Sequence, residues 1–176
     1  MLMHTIAMYE REWRRMMAVV GESLPDLHIE LDVERSRGPV VLGCLRLPAQ
    51  PADVGRARQF ARMVLELSEA EAEPIADAEL ITSELITNVV VHDDWDVEPF
   101  AFVALAREGA TLRLEVHDSY AYMGELKTPD ETSEDGRGLG IVAALAERWG
   151  MDETPDGKCV WAELTAWPLL QHRRES

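Results

Sequence analysis

Basic residues are scarce in this chain. Only 17 Lys and Arg stand against 33 Asp and Glu in 176 residues, a formal net charge of −16. Nucleic-acid binding draws much of its affinity from Lys and Arg on phosphates, so the deficit argues against a DNA or RNA partner and equally against an anionic membrane surface. The acidity reads as a source of solubility and does not by itself identify a basic partner. Cysteine is almost missing: Cys44 and Cys159 each lie in an apolar run and read as buried thiols of a reducing compartment, and neither has a Cys or His neighbour at zinc-finger spacing. No apolar run approaches the ~20 residues that a membrane-spanning helix needs. Met1-Leu2-Met3-His4 lacks the charged and apolar regions of a secretory leader, which makes a soluble cytoplasmic protein the expectation.

Two common nucleotide motifs are missing as well. Gly157-Lys158 is the only Gly-Lys pair, and a phosphate-binding P-loop would need Gly where Asp152 stands and Ser or Thr where Cys159 stands. Gly136 and Gly138 begin a dinucleotide fingerprint that Ile141 breaks.

What is present suffices for one domain with a core: 47% of residues are hydrophobic. Residues 1–38 read as an extension in which Met8, Trp13, Met16, Met17 and Val20 recur at helical spacing among charges, an amphipathic helix that packs on the domain or on a partner. A main domain spans 39–168, and 169–176 form a tail. Within the domain the pattern predicts a strand over 39–47, then a helix over 52–67 burying Val54, Ala57, Phe60, Ala61, Val64 and Leu65. A second helix follows over 75–92, with Asp77 and Glu79 near its start, where the helix dipole favours acids. Two strands, 100–107 and 111–117, are joined by Glu108-Gly109-Ala110. A long loop over 119–137, a helix over 138–149 and a last strand over 158–165 complete the chain. The order β-α-α-β-β-loop-α-β does not alternate. It predicts an α/β two-layer sandwich, with helices on one face of a mostly antiparallel mixed sheet.

The chemistry concentrates in three places. In Ser83-Glu84-Leu85-Ile86-Thr87-Asn88, Glu84 and Asn88 are four residues apart and share a helix face. A carboxylate beside an amide oxygen suits Mg²⁺, which takes few protein ligands and completes its shell with phosphates and water. Asp118 ends a strand. Gly136-Arg137-Gly138-Leu139-Gly140 reads as a loop that opens a helix, the arrangement that offers backbone N–H groups to phosphates. Taken singly, an i, i+4 pair of polar residues is more often a solvated stripe, Asp118 an ordinary strand-end acid and Arg137 a solvated loop base. Their conjunction and order carry the functional reading.

In that order the pieces resemble the GHKL ATPases, and most closely the anti-sigma-factor serine kinases. Ser83 to His92 resembles the family's N-box, Asp118 the acid of the next box, Gly136 to Val142 the second glycine box, and Gly157-Lys158-Cys159-Val160-Trp161 the closing strand. The resemblance covers roughly residues 39–167 and implies a Bergerat-type ATP-binding fold. It implies ATP and Mg²⁺ as cofactors, with Asn88 coordinating the metal and Glu84 drawing the proton from a serine hydroxyl. Asp118 would accept from the adenine amino group, and Gly138, Leu139 and Gly140 would line the phosphates with Arg137 beside them. It implies a sigma factor and an anti-sigma-factor antagonist protein as partners, and a homodimer. Three departures keep a second function open, a partner-binding module without kinase activity. Tyr120 and Tyr122 stand in the adenine box; Cys159, which the resemblance implies as a nucleotide-site residue, replaces the usual Thr that helps the acid hold adenine; and Glu125 to Asp135 is acidic. The catalytic half of a histidine kinase is the least favoured alternative, because residues 1–38 are too short for a two-helix phosphoacceptor bundle.

Overall fold

A computed structural model describes residues 27–29, 39–90, 100–118, 134–154 and 157–168. In chain order they form β1 (Leu27–Ile29), β2 (Val40–Pro48), α1 (Asp53–Leu67), α2 (Ala72–Val90), β3 (Phe100–Glu108), β4 (Thr111–Asp118), α3 (Glu134–Leu145), β5 (Arg148–Thr154) and β6 (Gly157–Thr165). The strands make one sheet in the spatial order β1-β2-β3-β4-β6-β5, and each of its pairings is antiparallel. This is the α/β sandwich that the element order predicts.

The helices pack on one face because their apolar positions recur at helical spacing. α1 buries Ala57, Phe60, Ala61, Val64 and Leu65, and α2 buries Ala78, Ile81, Leu85, Ile86 and Val89. They meet Leu42, Leu45 and Leu47 of β2, Val103 and Leu105 of β3, Leu112, Leu114 and Val116 of β4, and Val160, Ala162 and Leu164 of β6 in a single core. Each fully buried Leu or Ile contributes about 1.5–3 kcal/mol. The β3–β4 hairpin closes at Gly109, whose φ of +61° lies in the left-handed region that glycine tolerates without strain. Among the described residues no helix is long and apolar enough to cross a membrane.

Three elements differ from the sequence expectation. β5 falls where the third helix was expected to continue to Trp149. α3 instead ends at Leu145 and begins at Glu134, inside the expected loop. β1 lies within the expected N-terminal extension and pairs with β2 through Leu27↔Leu45, His28↔Cys44 and Ile29↔Gly43. The rest of residues 1–38, including the expected amphipathic helix, lies outside the described residues, as do Tyr120, Tyr122, the acidic stretch before Glu134 and the tail.

The sheet face away from the helices is buried too, and it is polar where strand alternation suggests a wet surface. Arg113, Glu115 and Glu163 are each at most 6% exposed. Arg113 donates from Nε to Glu115 Oε1 at 2.6 Å and from a terminal nitrogen to Glu163 Oε1 at 2.9 Å, while Arg148 reaches Glu163 Oε2 at 3.1 Å. The Arg113 guanidinium lies 4.2 Å from the centroid of the Trp161 ring. The indole lies so close over Gly150 that a Cβ there would sit 2.6 Å from its Cζ2, and its Nε1 donates to Asp152 at 2.9 Å. On the same face Val41, Cys44, Ala104 and Ala106 form a small apolar cluster. Burial, reinforced by the charge of Glu115, pushes the Cys44 thiol up to about 12, so it stays protonated and unreactive.

Candidate functional site

The motif on α2 is helical, and its hydroxyls are turned onto the helix itself. Thr82, Ser83 and Thr87 each donate to the carbonyl four residues back, at 2.7, 2.9 and 2.7 Å. Leu85 and Ile86 go into the core. Glu84 and Asn88 are half-buried and project together toward α3.

There they meet Gly138. A Cβ on this residue would stand 3.1 Å from Glu84 Oε2, 3.2 Å from Asn88 Oδ1 and 3.5 Å from Asn88 Nδ2. The glycine therefore does a steric job. It lets the backbone of α3 press against the two polar groups, a cradle that a side chain would fill. Leu139 and Val142 secure the contact by packing into the core with Val89. Gly140 is exposed and has nothing within 4 Å of an ideal Cβ. Both glycines lie inside α3 rather than in a loop before it, because the helix already begins at Glu134. The side chain of Arg137 lies outside the described residues.

This geometry separates the two glycines experimentally. Gly138→Ala gains roughly 0.4–1 kcal/mol from reduced chain entropy but crowds Glu84 and Asn88. Its unfolding free energy is expected to stay within about 1 kcal/mol of the parent, while any phosphoryl transfer falls roughly ten- to a hundredfold through misplacement of those groups. Gly140→Ala meets no such contact and should show the full stability gain in a urea titration.

Asp118 sits at the end of β4, 4% exposed, on the helix-facing side by alternation with Leu112, Leu114 and Val116. Lys158, its register partner on β6, brings Nζ to 3.7 Å from Asp118 Oδ2. In the sequence Lys158 is only one residue of the closing strand. Only the β4–β6 register shows that it shares the site with Asp118.

Cys159 lies elsewhere. It pairs with His117 across β4 and β6, and its Sγ is 3.6 Å from His117 Nε2 on the sheet face away from the helices. The resemblance placed it in the nucleotide site beside Asp118. Period-two alternation sends consecutive residues to opposite faces, and Cys159 takes the face opposite to Lys158 and Asp118. The structure thus brings Glu84, Asn88 and Gly138 into contact, sets Asp118 and Lys158 on the helix-facing side of the sheet, and removes Cys159 from them.

These features define a helix-on-sheet domain with a polar seam between two helices and a buried acid at a strand end. The chain belongs to the histidine kinase-like ATPase domain family, whose profile matches residues 47–164. This is a family of ATP-binding domains, and its match spans every site residue named above. A solved structure, that of the RsbU and RsbW domains of Rv1364c from Mycobacterium tuberculosis, superposes with a TM-score of 0.51 at 22% identity, covering 72% of this chain and 33% of that one. At this identity the similarity is one of fold, and the chain spans about a third of the length of that protein. No curated protein matches the chain.

Proposed function

We propose that this chain is an ATP-dependent protein serine kinase of the anti-sigma-factor type, which phosphorylates an antagonist protein and, in the alternate state, sequesters a sigma factor. The observation that carries the reading is the convergence of Glu84, Asn88 and Gly138, three residues from two separate boxes, within one contact distance. The donor set fits magnesium: an amide oxygen and a nearby carboxylate supply hard oxygen ligands without a preformed protein cage. Asn88 would hold Mg²⁺, and the ion when bound would neutralise charge on the ATP phosphates. Glu84, half-buried beside it, would take the proton of the serine hydroxyl. Asp118, oriented by Lys158, would accept from the adenine amino group. Gly138, by carrying no side chain, keeps the seam open. The homodimer implied by the family resemblance belongs to the same reading.

Calorimetric titration with ATP, with and without Mg²⁺, tests the pocket. Magnesium-dependent binding is expected, and Asn88→Ala should lose the magnesium dependence while retaining the fold by circular dichroism. Binding that ignores magnesium, or an unaffected Asn88→Ala variant, would overturn the assignment of the metal to Asn88.

One observation favours a second reading, a partner-binding module without transfer activity. Gly138 and Gly140 lie within α3, so their backbone N–H groups are engaged in the helix rather than offered to phosphate. The same titration distinguishes the two, since this reading expects no ATP binding at millimolar concentration.

A further inference from the structure

The far face of the sheet carries a cluster that the nucleotide reading does not use. Glu115 and His117 on β4 and Cys159 on β6 place one donor atom each within 4.8 Å of one another. His117 Nε2 is the hub: Glu115 Oε2 lies at 2.9 Å and Cys159 Sγ at 3.6 Å. We propose that Glu115, His117 and Cys159 form a binding site for a thiophilic divalent cation of the Zn²⁺ class, with these three side chains as its protein ligands among the described residues.

Three features of the geometry carry this. The first is spacing. Zinc at 2.3 Å from sulfur and about 2.0–2.1 Å from nitrogen, at a tetrahedral angle, sets those two atoms about 3.5 Å apart. The separation here is 3.6 Å. The carboxylate oxygen lies 2.9 Å from Nε2 and within 4.8 Å of the sulfur, so it takes its own ligand position by swinging about 1 Å toward the sulfur. The second is orientation. Glu115 Oε1 is held by Arg113 Nε at 2.6 Å, which leaves Oε2 directed at the cluster, the kind of outer-shell hydrogen bond that positions metal-binding carboxylates. The third is donor chemistry. A thiolate, an imidazole and one carboxylate suit zinc over magnesium or calcium, which prefer all-oxygen shells. Cys159 and Glu115 are 4% and 2% exposed, whereas the His117 side chain reaches 12%, so the imidazole marks the side of entry.

Binding takes the Cys159 thiolate, releasing its proton to solvent, and the lone pair of Nε2, with the neutral imidazole carrying its proton on Nδ1. No electron changes hands. The ion would staple β4 to β6 one residue away from Asp118 and Lys158, which are the next register pair on the opposite face. The cluster escapes sequence spacing rules because its residues come from different strands, and only the register brings Cys159 to His117.

Cobalt(II) titration of the nucleotide-free protein is the test, with Co²⁺ as the spectroscopic probe and Zn²⁺ as competitor. One equivalent of Co²⁺ should raise a thiolate-to-cobalt charge-transfer absorption that Zn²⁺ abolishes. The chain has two cysteines, so Cys44→Ser leaves Cys159 as the sole sulfur and should keep the band. Cys159→Ser should lose it, and His117→Gln should weaken Co²⁺ binding at least tenfold. Absence of a sulfur band in the parent at saturating Co²⁺ overturns the proposal, and so does a band lost in Cys44→Ser. Both outcomes are readable even where Cys159→Ser does not fold. The magnesium–ATP reading stands or falls separately, since it involves no sulfur.

Discussion

Under the proposed kinase function, Glu84→Gln is expected to reduce serine phosphorylation by about 10²–10⁴-fold, the usual contribution of a positioned general base, while ATP affinity stays close to that of the parent. The substitution preserves the shape of the side chain and its place against Gly138, where Oε2 lies 3.1 Å from an ideal Cβ. It removes only the ability to take a proton. Transfer from radiolabelled ATP to the cognate antagonist, measured beside calorimetric ATP binding, separates the two effects. A variant that binds ATP normally and transfers phosphate at the parent rate would remove Glu84 from the chemistry. Equal loss of binding and transfer would instead give it a ground-state role in holding nucleotide.

Arg113→Met carries the largest expected effect on stability. Arg113 is the cation between two buried carboxylates, Glu115 and Glu163. Removing it leaves both without that partner in a low-dielectric setting, where breaking a buried pair from one side costs about 3–5 kcal/mol. Arg148 still reaches Glu163 and His117 still faces Glu115, so a loss near about 3 kcal/mol is expected. That is a large part of the ~5–15 kcal/mol available to a domain. The urea midpoint of unfolding should fall accordingly. Replacing Arg113, Glu115 and Glu163 together by apolar residues of similar size should recover most of the loss, because the desolvation of all three charges is then relieved. A single-variant loss below about 0.5 kcal/mol would mean that the network contributes no more than an ordinary surface contact. Glu115 itself titrates below the usual carboxylate range. Burial pushes its pKa up, and the opposing contacts with His117 and Arg113 outweigh that push.

The helical core was the most legible part of the sequence. The stripe Val54, Ala57, Phe60, Ala61, Val64 and Leu65 is a local periodicity, and the structure buries all of it but Val54, which packs half-buried against the core. The Glu84–Asn88 pair was legible for the same reason, since i, i+4 neighbours follow from helix geometry alone. What stayed hidden depends on partners distant in the chain. The glycine box reads as a loop because glycine is a poor helix former. It is helical here because Leu139 and Val142 anchor α3 on the core and Gly138 permits the approach to α2. Arg113, Glu115 and His117 alternate with Leu112, Leu114 and Val116, the pattern of a strand with one solvated face. Arg113 and Glu115 are buried all the same, paired with each other and with Glu163 on another strand, and that is invisible to alternation. For Cys159 the resemblance supplies a position but not a side-chain direction, which the register against β4 decides.

Strand β5 has a consequence for solubility. It forms one margin of the described sheet, with β6 as its neighbour there. A strand at a margin is a template on which a second molecule can aggregate. This one carries Arg148, Asp152 and Glu153 and has a glycine as its third residue, so its intrinsic tendency to extend is weak and its charges discourage a stacked copy. Gly150 admits the Trp161 indole, while Trp149 and Met151 on either side of it are exposed, so charge and not a lack of apolar surface guards this margin. The segment is hard to read from sequence because it extends against β6 rather than by its own propensity, and the charges that weaken that propensity are also what would repel a second copy at this margin.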